Sequence, residues 1–367
     1  MTSRRMTSRR MTSRRTLLKG TLCGSAAALL PTPASARGSG PFLRLPAPAG
    51  PYPVGMRTVH LTDPARSDPW VGGVRELMLT VLYPARSVRG FSRAPQLTPA
   101  EARLFAAYAP RVHPGLPQPG AVDWGAVLTH GYAGAPPLPG RRPVLVYSPG
   151  GGDSRTLGTS LAEDLASHGR VVVLVDHPGD ASQVELPTGM RTTVLTGPPE
   201  PATFRTMTDT RIADLRFVLD RLGGLPLAPV MDRTRIGLYG HSAGGTAAVY
   251  AARDDRRVGA VANLEGHLAL YPTPAGFGRP LLLVRTDGFE GAAGVESSWG
   301  DLPGRRVLLT GASHWAFTDY GSLVPQLQSA GLVSATARTA LVGTGDPVGT
   351  LAGVRREVGT FFTRHLR

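Results

Sequence analysis

The sequence contains a single cysteine among its 367 residues, Cys23, which lies close to the amino terminus. One cysteine cannot form an intramolecular disulfide, so the fold has to be stabilised by its hydrophobic core. The residues directly ahead of it, 20–22, do not match a lipoprotein acceptor, and the sequence therefore does not predict a lipid anchor.

The sequence also lacks a long apolar run near its amino terminus. The apolar stretch 21–30 is far shorter than the roughly 20 residues that span a bilayer, which argues against a membrane anchor. Three copies of "MTSRR" precede the stretch, and a small-residue site, Ala34-Ser35-Ala36, follows it. This order of charged, apolar and small residues is typical of an export signal.

The third copy places Arg14 and Arg15 directly ahead of the apolar stretch, as in twin-arginine signals. We therefore predict an export signal over residues 1–36 that is cleaved after Ala36. Translation starts at Met1, Met6 or Met11. The predicted mature chain is secreted or held at the cell surface.

Basic runs are missing from the rest of the chain. Residues 1–36 hold seven of the 40 basic residues and none of the 26 acidic ones, so half of the formal net charge of +14 lies in the signal. The other arginines are scattered, without interleaved aromatic residues or a nucleic-acid motif. The sequence therefore excludes nucleic acid as a partner and leaves room for a weak, transient attraction to anionic membrane or lipid surfaces.

Apolar runs alternate with helical patterns over most of residues 37–367, which we predict to form one catalytic domain after a proline- and glycine-rich arm at 37–55. Alternation of this kind indicates an α/β fold with a mostly parallel sheet and helices on both faces. The predicted strands are 76–83, 143–147, 171–176, 236–239, 258–264, 281–285 and 307–310. The predicted helices are 157–167, 205–222, 243–252 and 351–366.

Residues 84–142 interrupt this alternation and are rich in proline, glycine and alanine. One helix is predicted within them, beginning at a capping box of Thr98 and Glu101 with Pro99 at the first helical position. A long excursion between strands is either a wall or lid of the active site or a surface segment without a role, and the sequence favours neither.

The segment "RIGLYGHSAGGTAAVYAA", residues 235–252, places one serine between a predicted strand and a predicted helix. Gly240 and Gly244 lie two residues either side of Ser242, giving the G-x-S-x-G pattern of a nucleophile elbow. So sharp a turn strains the serine backbone and brings strand and helix so close that side chains at both glycine positions would collide. We therefore predict that Ser242 is a nucleophile.

An activated serine needs an imidazole to accept its proton and a carboxylate to orient that imidazole. Among the histidines after Ser242, His267 comes too early, and His365 lies at the charged end of the last helix. His314 follows the last strand at the carboxyl edge of the sheet, where ligands bind, and is the predicted base. Glu265 and Asp287 each follow a strand at the same edge, and spacing does not choose between them as the acid.

A serine hydrolase also needs backbone N–H groups to bind the oxyanion. One is expected from Ala243, the residue after the nucleophile, and another from a loop after an earlier strand. The segment "VLVYSPGGGDSRT" supplies such a loop at Gly150 to Gly152. A phosphate-binding role for this loop is excluded because no Gly-Lys-Ser/Thr follows it.

Several segments, in chain order, resemble the secreted platelet-activating factor acetylhydrolases and their bacterial esterase and lipase relatives. They are "GPYPVG", "RELMLTVLYPAR", "PVLVYSPGGGDSRTLGTSLAEDLASHGRVVVLVDHPGD", "IGLYGHSAGG", "VANLEG" and "LLTGASHWAFTDY". The resemblance implies an α/β-hydrolase fold and hydrolysis of acyl esters, with Ser242 as nucleophile and His314 as base. It implies no metal and no organic cofactor.

The resemblance also implies the remaining site residues. The family's acid corresponds to Glu265, where the family has aspartate, and Asp287 stays in reserve. The second oxyanion N–H corresponds to Gly151 in the family's His-Gly-x-Gly loop, although Pro149 stands here in place of the histidine, which changes the contacts that the histidine would make.

The implied substrates are small-molecule or lipid esters with a short acyl group or a phospholipid-type structure. One alternative is polyester, cutin or long-chain lipid hydrolysis, because bacterial cutinases share "SPG" and "GHSxGG"; these relatives usually take their acid after the next strand, so a catalytic Asp287 would favour them. A second alternative is a non-catalytic binding protein of the same fold. The sequence contains no indication of an oligomeric state.

Overall fold

The computed structural model describes residues 41–195, 199–271 and 277–367. The predicted export signal at 1–36 and the first residues of the predicted arm lie outside these ranges. Among the described residues, no helix combines the length and the apolar character needed to cross a bilayer.

Twelve strands and eight helices define the architecture of the described residues. The strands are β1 (Val54–Ser67), β2 (Val74–Pro84), β3 (Arg93–Pro95), β4 (Leu128–Ala133), β5 (Arg142–Ser148), β6 (Val171–Val175), β7 (Gln183–Leu186), β8 (Gly189–Thr192), β9 (Met231–His241), β10 (Val258–Leu264), β11 (Leu281–Thr286) and β12 (Arg305–Leu309). The helices are α1 (Pro99–Val112), α2 (Thr159–Ser167), α3 (Pro201–Arg221), α4 (Ala243–Asp254), α5 (Ala292–Trp299), α6 (Tyr320–Ser329), α7 (Ala335–Val342) and α8 (Pro347–His365).

Ten of these strands form one sheet in the order β12-β11-β10-β9-β5-β6-β2-β1-β4-β3. The six strands from β12 to β6 are parallel to their neighbours, whereas β2 is antiparallel to both β6 and β1. Strands β7 and β8 form a separate two-stranded ribbon. The prediction of a mostly parallel sheet is confirmed.

Residues of the central strands point alternately to two apolar layers. In β5, Val144 and Val146 pack in a cluster with residues of α3, α4 and α5, while Leu145 and Tyr147 pack with α2 and α8. Both faces are therefore covered, which is why these strands consist almost entirely of apolar residues. The arrangement confirms the predicted α/β-hydrolase fold.

All the predicted strands and helices are present, most with bounds close to the prediction. Strand β9 begins at Met231 rather than at residue 236, and α8 begins at Pro347 rather than at 351. Strand β1 was not predicted, and the predicted arm 37–55 includes its first residues, Val54 and Gly55.

The excursion at 84–142 contributes to the sheet as well as to the surface. Its strands β3 and β4 extend the edge beside β1, and α1 begins at the predicted capping box. Thr98 accepts a hydrogen bond from the Glu101 N–H (3.1 Å), and Glu101 accepts one from the Thr98 N–H (3.0 Å). The apolar side of α1 packs with α6 and α7 in a third cluster.

The two glycines of the G-x-S-x-G segment lie where backbones meet. A Cβ on Gly240 would lie 2.3 Å from the Gly244 carbonyl, and a Cβ on Gly244 would lie 2.0 Å from the Ser148 carbonyl oxygen. Because these neighbours are main-chain atoms of a strand, a loop and a helix, they have little freedom to move away. Both positions therefore require glycine, as the sequence predicts.

We expect Gly244→Ala to lower the free energy of unfolding by about 3 kcal/mol or more, because the new methyl group overlaps the Ser148 carbonyl. The matched control is Gly359→Ala in α8, where a Cβ meets no atom within 4 Å. This control should instead gain about 0.5–1 kcal/mol, since alanine restricts the unfolded chain and favours helix. Urea unfolding followed by circular dichroism measures both. Equal effects would contradict the steric account.

Candidate active site

Ser242 lies at the turn between β9 and α4 with φ 52° and ψ −124°. Positive φ is uncommon outside glycine and costs free energy, so surrounding contacts have to hold the residue. Its N–H donates to the Leu264 carbonyl (2.9 Å), and its carbonyl accepts from the Thr246 N–H (3.1 Å). The serine is half-buried, at the carboxyl end of the strand in the middle of the sheet.

His314 and Glu265 are hydrogen-bonded to each other at the same sheet edge. His314 Nδ1 lies 2.8 Å from Glu265 Oε2, and both side chains are buried. Because a carboxylate only accepts, Nδ1 carries the proton and Nε2 is left as the basic nitrogen. Among the described residues, Nε2 of His314 and Oγ of Ser242 have no hydrogen-bond partner and are not hydrogen-bonded to each other. No protein acceptor therefore competes with Nε2 for the serine proton.

Glu265 is positioned by its own backbone and by Thr286. It has φ 59°, and its N–H donates to the Val284 carbonyl (2.8 Å). Oε1 accepts from the N–H (2.6 Å) and the hydroxyl (2.8 Å) of Thr286, which leaves Oε2 directed at His314. The longer glutamate side chain thus reaches the imidazole where the family has aspartate.

Asp287 occupies a different place. Its side chain is exposed, and Oδ1 accepts from the Gly311 N–H (2.8 Å), which links the turns after β11 and β12. The structure therefore brings Glu265, and not the reserve residue Asp287, against His314.

The two expected oxyanion donors lie side by side. A Cβ on Gly151 would be 3.7 Å from the Ala243 Cβ. Within the described ranges, neither the Gly151 N–H nor the Ala243 N–H is hydrogen-bonded to a protein acceptor. The neighbouring Gly152 N–H is unavailable, because it donates to Asp180 (3.0 Å). The N–H groups of Gly151 and Ala243 are thus free of protein acceptors, as the predicted oxyanion site requires.

The glycine loop, residues 149–152, is held by a buried arginine that sequence reasoning missed. Arg211 of α3 donates to the carbonyl oxygens of Pro149 and Gly150, and its Nε donates to Asp180. Asp180 in turn accepts from Gly152. Arginine suits this task because its planar fork reaches several acceptors at once. A charged residue in a helical pattern is usually predicted to be solvent-exposed. The role of Arg211 in holding the glycine loop is therefore visible only in the three-dimensional contacts.

A second Ser-His-Asp chain lies behind the loop. His177 joins Ser148 Oγ (2.9 Å) through Nε2 and Asp214 (2.9 Å) through Nδ1, and Asp214 also pairs with Arg75. All of these side chains are fully buried, which denies them contact with substrate. Burial also lowers the pKa of His177 to about 4, so the imidazole is neutral at physiological pH. This chain supports the strand that carries the glycine loop.

Aromatic side chains surround His314. The ring of Phe289 is stacked on it with centroids 4.2 Å apart, and Trp315 meets it edge-on at 4.9 Å. His113, from the end of α1, packs against Trp315 at 4.5 Å. The excursion thus reaches the walls of the site, which supports the first of its two interpretations.

The other candidates are not part of this arrangement. His267 is exposed, and His365 is exposed at the end of α8, with its ring tilted against that of Phe361. Within the residues described, no group of three histidine, cysteine, aspartate or glutamate side chains is placed to hold a metal ion.

The sheet order and the positions of Ser242, Glu265 and His314 after β9, β10 and β12 define an α/β-hydrolase. Residues 124–188 match the family model for platelet-activating factor acetylhydrolase, isoform II. A probable 1-alkyl-2-acetylglycerophosphocholine esterase of Arthroderma benhamiae is 30% identical over 236 residues, which are 61% of this chain and 59% of that protein. The alignment therefore spans about three fifths of this relative's length.

A solved structure, the ferulic acid esterase from Streptomyces cinnamoneus, aligns over more of the chain. It is 36% identical, with a TM-score of 0.73, and the alignment covers 89% of this chain and 94% of that one. At this identity and coverage the chain belongs to the same family of carboxylic ester hydrolases as this esterase, and its residues 124–188 are similar to platelet-activating factor acetylhydrolase.

We expect Arg211→Met to lower the free energy of unfolding by about 3–5 kcal/mol, because it leaves the buried Asp180 carboxylate unpaired. The control is Arg356→Met, which removes an exposed guanidinium whose partner, Glu357, is still paired with Arg305, and it should cost about 1 kcal/mol or less. Urea unfolding at neutral pH measures both. A loss as small as that of the control would show that Arg211 does not hold the glycine loop.

Proposed function

We propose that this chain is an exported serine esterase that hydrolyses acyl esters through Ser242, His314 and Glu265. The observation that carries the proposal is the 2.8 Å hydrogen bond between His314 Nδ1 and Glu265, which prepares Nε2 to accept the proton of the elbow serine. Export rests on the signal predicted from the sequence, with Arg14 and Arg15 ahead of its apolar stretch.

In the first half-reaction, Ser242 Oγ attacks the ester carbonyl carbon while His314 Nε2 accepts the hydroxyl proton. The N–H groups of Gly151 and Ala243 donate to the oxyanion of the tetrahedral intermediate. The intermediate collapses, the alcohol leaves with the proton from His314, and an acyl-enzyme remains on Ser242. Water then attacks this ester, with His314 as base again, and releases the acid and the free serine.

The side chains near the donors favour a short acyl group. A Cβ on Gly151 would lie 3.6 Å from the end of the Met207 side chain, and Phe289 and Trp315 flank His314. These groups border the space beside the predicted oxyanion donors. The proposed substrates are therefore short-acyl or phospholipid-type esters, the class that the name of the Arthroderma benhamiae relative indicates for that protein.

A second candidate substrate class is an aromatic acyl ester. Two observations favour it: the ferulic acid esterase is 36% identical over nearly its whole length, and two aromatic rings flank the base. Aromatic rings of a substrate would stack on such side chains. The polyester alternative has less support, because Asp287 bonds to Gly311 instead of His314.

We expect Ser242→Ala to reduce kcat on p-nitrophenyl acetate by about 10⁵-fold or more, because it removes the attacking atom. Glu265→Gln should lose about 10³- to 10⁴-fold, since an amide stabilises the wrong imidazole tautomer. The matched control, Asp287→Asn, should keep most of its kcat. Equal activity of Ser242→Ala and wild type would exclude the mechanism and leave the binding-protein alternative, and a large loss in Asp287→Asn with none in Glu265→Gln would reassign the acid.

We expect kcat/KM on p-nitrophenyl esters to fall steeply from acetate to palmitate, because long chains meet Met207 and the aromatic walls. Methyl ferulate, measured in the same assay series, distinguishes the two substrate classes. Faster turnover of ferulate than of acetate, relative to the reactivity of each ester, would support the aromatic class. Comparable rates on palmitate would instead indicate a lipase.

A further inference from the structure

Two buried polar side chains behind the glycine loop have no part in the mechanism described so far. Asp153 Oδ2 and His241 Nδ1 face each other at 3.9 Å. Both atoms are buried, and neither has a hydrogen-bond partner within the described residues. A Cβ on Gly150 would lie 2.7 Å from Oδ2 and 3.0 Å from Nδ1, so the pair packs directly against the glycine loop.

The other nitrogen of His241 determines which form the ring takes. Nε2 lies 2.9 Å from the carbonyl oxygen of His314, and because a carbonyl only accepts, Nε2 carries a hydrogen. In the neutral imidazole, Nδ1 is then a bare acceptor. A carboxylate opposite a bare acceptor leaves two buried acceptors unsatisfied, and that is costly. If the Asp153 carboxyl group is protonated, its O–H is a donor and His241 Nδ1 is the matching acceptor.

Electrostatics favour the proton on the carboxyl group. Burial raises the pKa of Asp153 to about 7, although Arg211 opposes the shift. Burial, with His314 as a smaller cause, lowers the pKa of His241 well below its usual value. The titratable and charged groups that act on the pair from the elements around it are His113, Tyr147, Asp180, Arg211, His314 and Tyr320.

We propose that protonated Asp153 is a positioning residue that donates a hydrogen bond to His241 Nδ1. Closing this bond requires the two atoms to approach by about 1 Å to hydrogen-bond distance. The inference rests on the proposed function, because the bond would connect the segments that carry the proposed active-site residues. Asp153 follows the glycine loop, His241 precedes Ser242, and Nε2 of His241 holds the backbone of His314. Deprotonation of Asp153 removes the donor and therefore breaks the hydrogen bond between Asp153 and His241.

The test compares pH profiles of kcat on p-nitrophenyl acetate between about pH 6 and 9 for wild type, Asp153→Asn and Asp153→Leu. The wild-type kcat should fall as the pH rises through the pKa of Asp153, because the carboxylate no longer donates. Asp153→Asn should retain most of the activity at the lower pH and should lack the alkaline fall, since its amide donates at every pH. Asp153→Leu should lose about 10- to 100-fold in kcat with little change in KM.

The control for the chemical change is Asp301→Asn at an exposed position, which should keep the wild-type profile. An alkaline fall that persists in Asp153→Asn, or Asp153→Leu activity equal to that of Asp153→Asn, would overturn the inference. If Asp153→Leu does not fold, the profiles of wild type and Asp153→Asn decide alone. Ser242→Ala, measured in the same series, separates the two claims. If this variant turns over substrate like wild type, the proposed function is rejected. If it is inactive while wild type, Asp153→Asn and Asp153→Leu share one pH profile, only this inference is rejected.

Discussion

The site depends on one close backbone contact, between the first turn of α4 and the end of β5. Gly244 approaches the Ser148 carbonyl so closely that a single methyl group would overlap it. This contact brings Ala243 beside Gly151 and accompanies the positive φ of Ser242 at the sheet edge. The strain at the serine persists because the surrounding backbone hydrogen bonds over-determine its conformation.

Buried arginines keep the loops around this contact in place. Arg211 pairs with Asp180 and holds the glycine loop, and Arg155 pairs with Asp176 beneath the next turn. Buried ion pairs add little net stability, yet loss of one partner strands a charge in the core, so they enforce one geometry on the loops that they join. The described part of the chain, which contains no cysteine, fixes its loops by charge and hydrogen bonding instead of disulfides.

The central strands and the elbow could be predicted from the sequence because their signals are local. Buried parallel strands appear as apolar runs, and G-x-S-x-G combines a turn with its flanking elements. Strand β1 gave no such signal, because it is half-exposed near the sheet edge and carries Asp63 and Pro64 among apolar residues. The sequence therefore predicted the strands in the part of the sheet that is covered on both faces, but not β1.

The site was predictable only in part for a related reason. Sequence order indicated Ser242 and His314, but Glu265 and Asp287 follow neighbouring strands and differ only in where their oxygens point. The hydrogen bonds of Thr286 and Gly311 separate the two carboxylates, and those bonds depend on the register between strands. Asp180, Arg211 and His241 lie far apart in the chain, and their shared contacts with the glycine loop exist only in the folded protein.

The most direct test of the account is the position of the covalent intermediate. The protein would be treated with a fluorophosphonate ester, digested and analysed by peptide mass spectrometry. The account predicts a single phosphonylated site at Ser242, with labelling abolished in Ser242→Ala and slowed in Glu265→Gln. Absence of labelling, or an adduct on another serine, would contradict it.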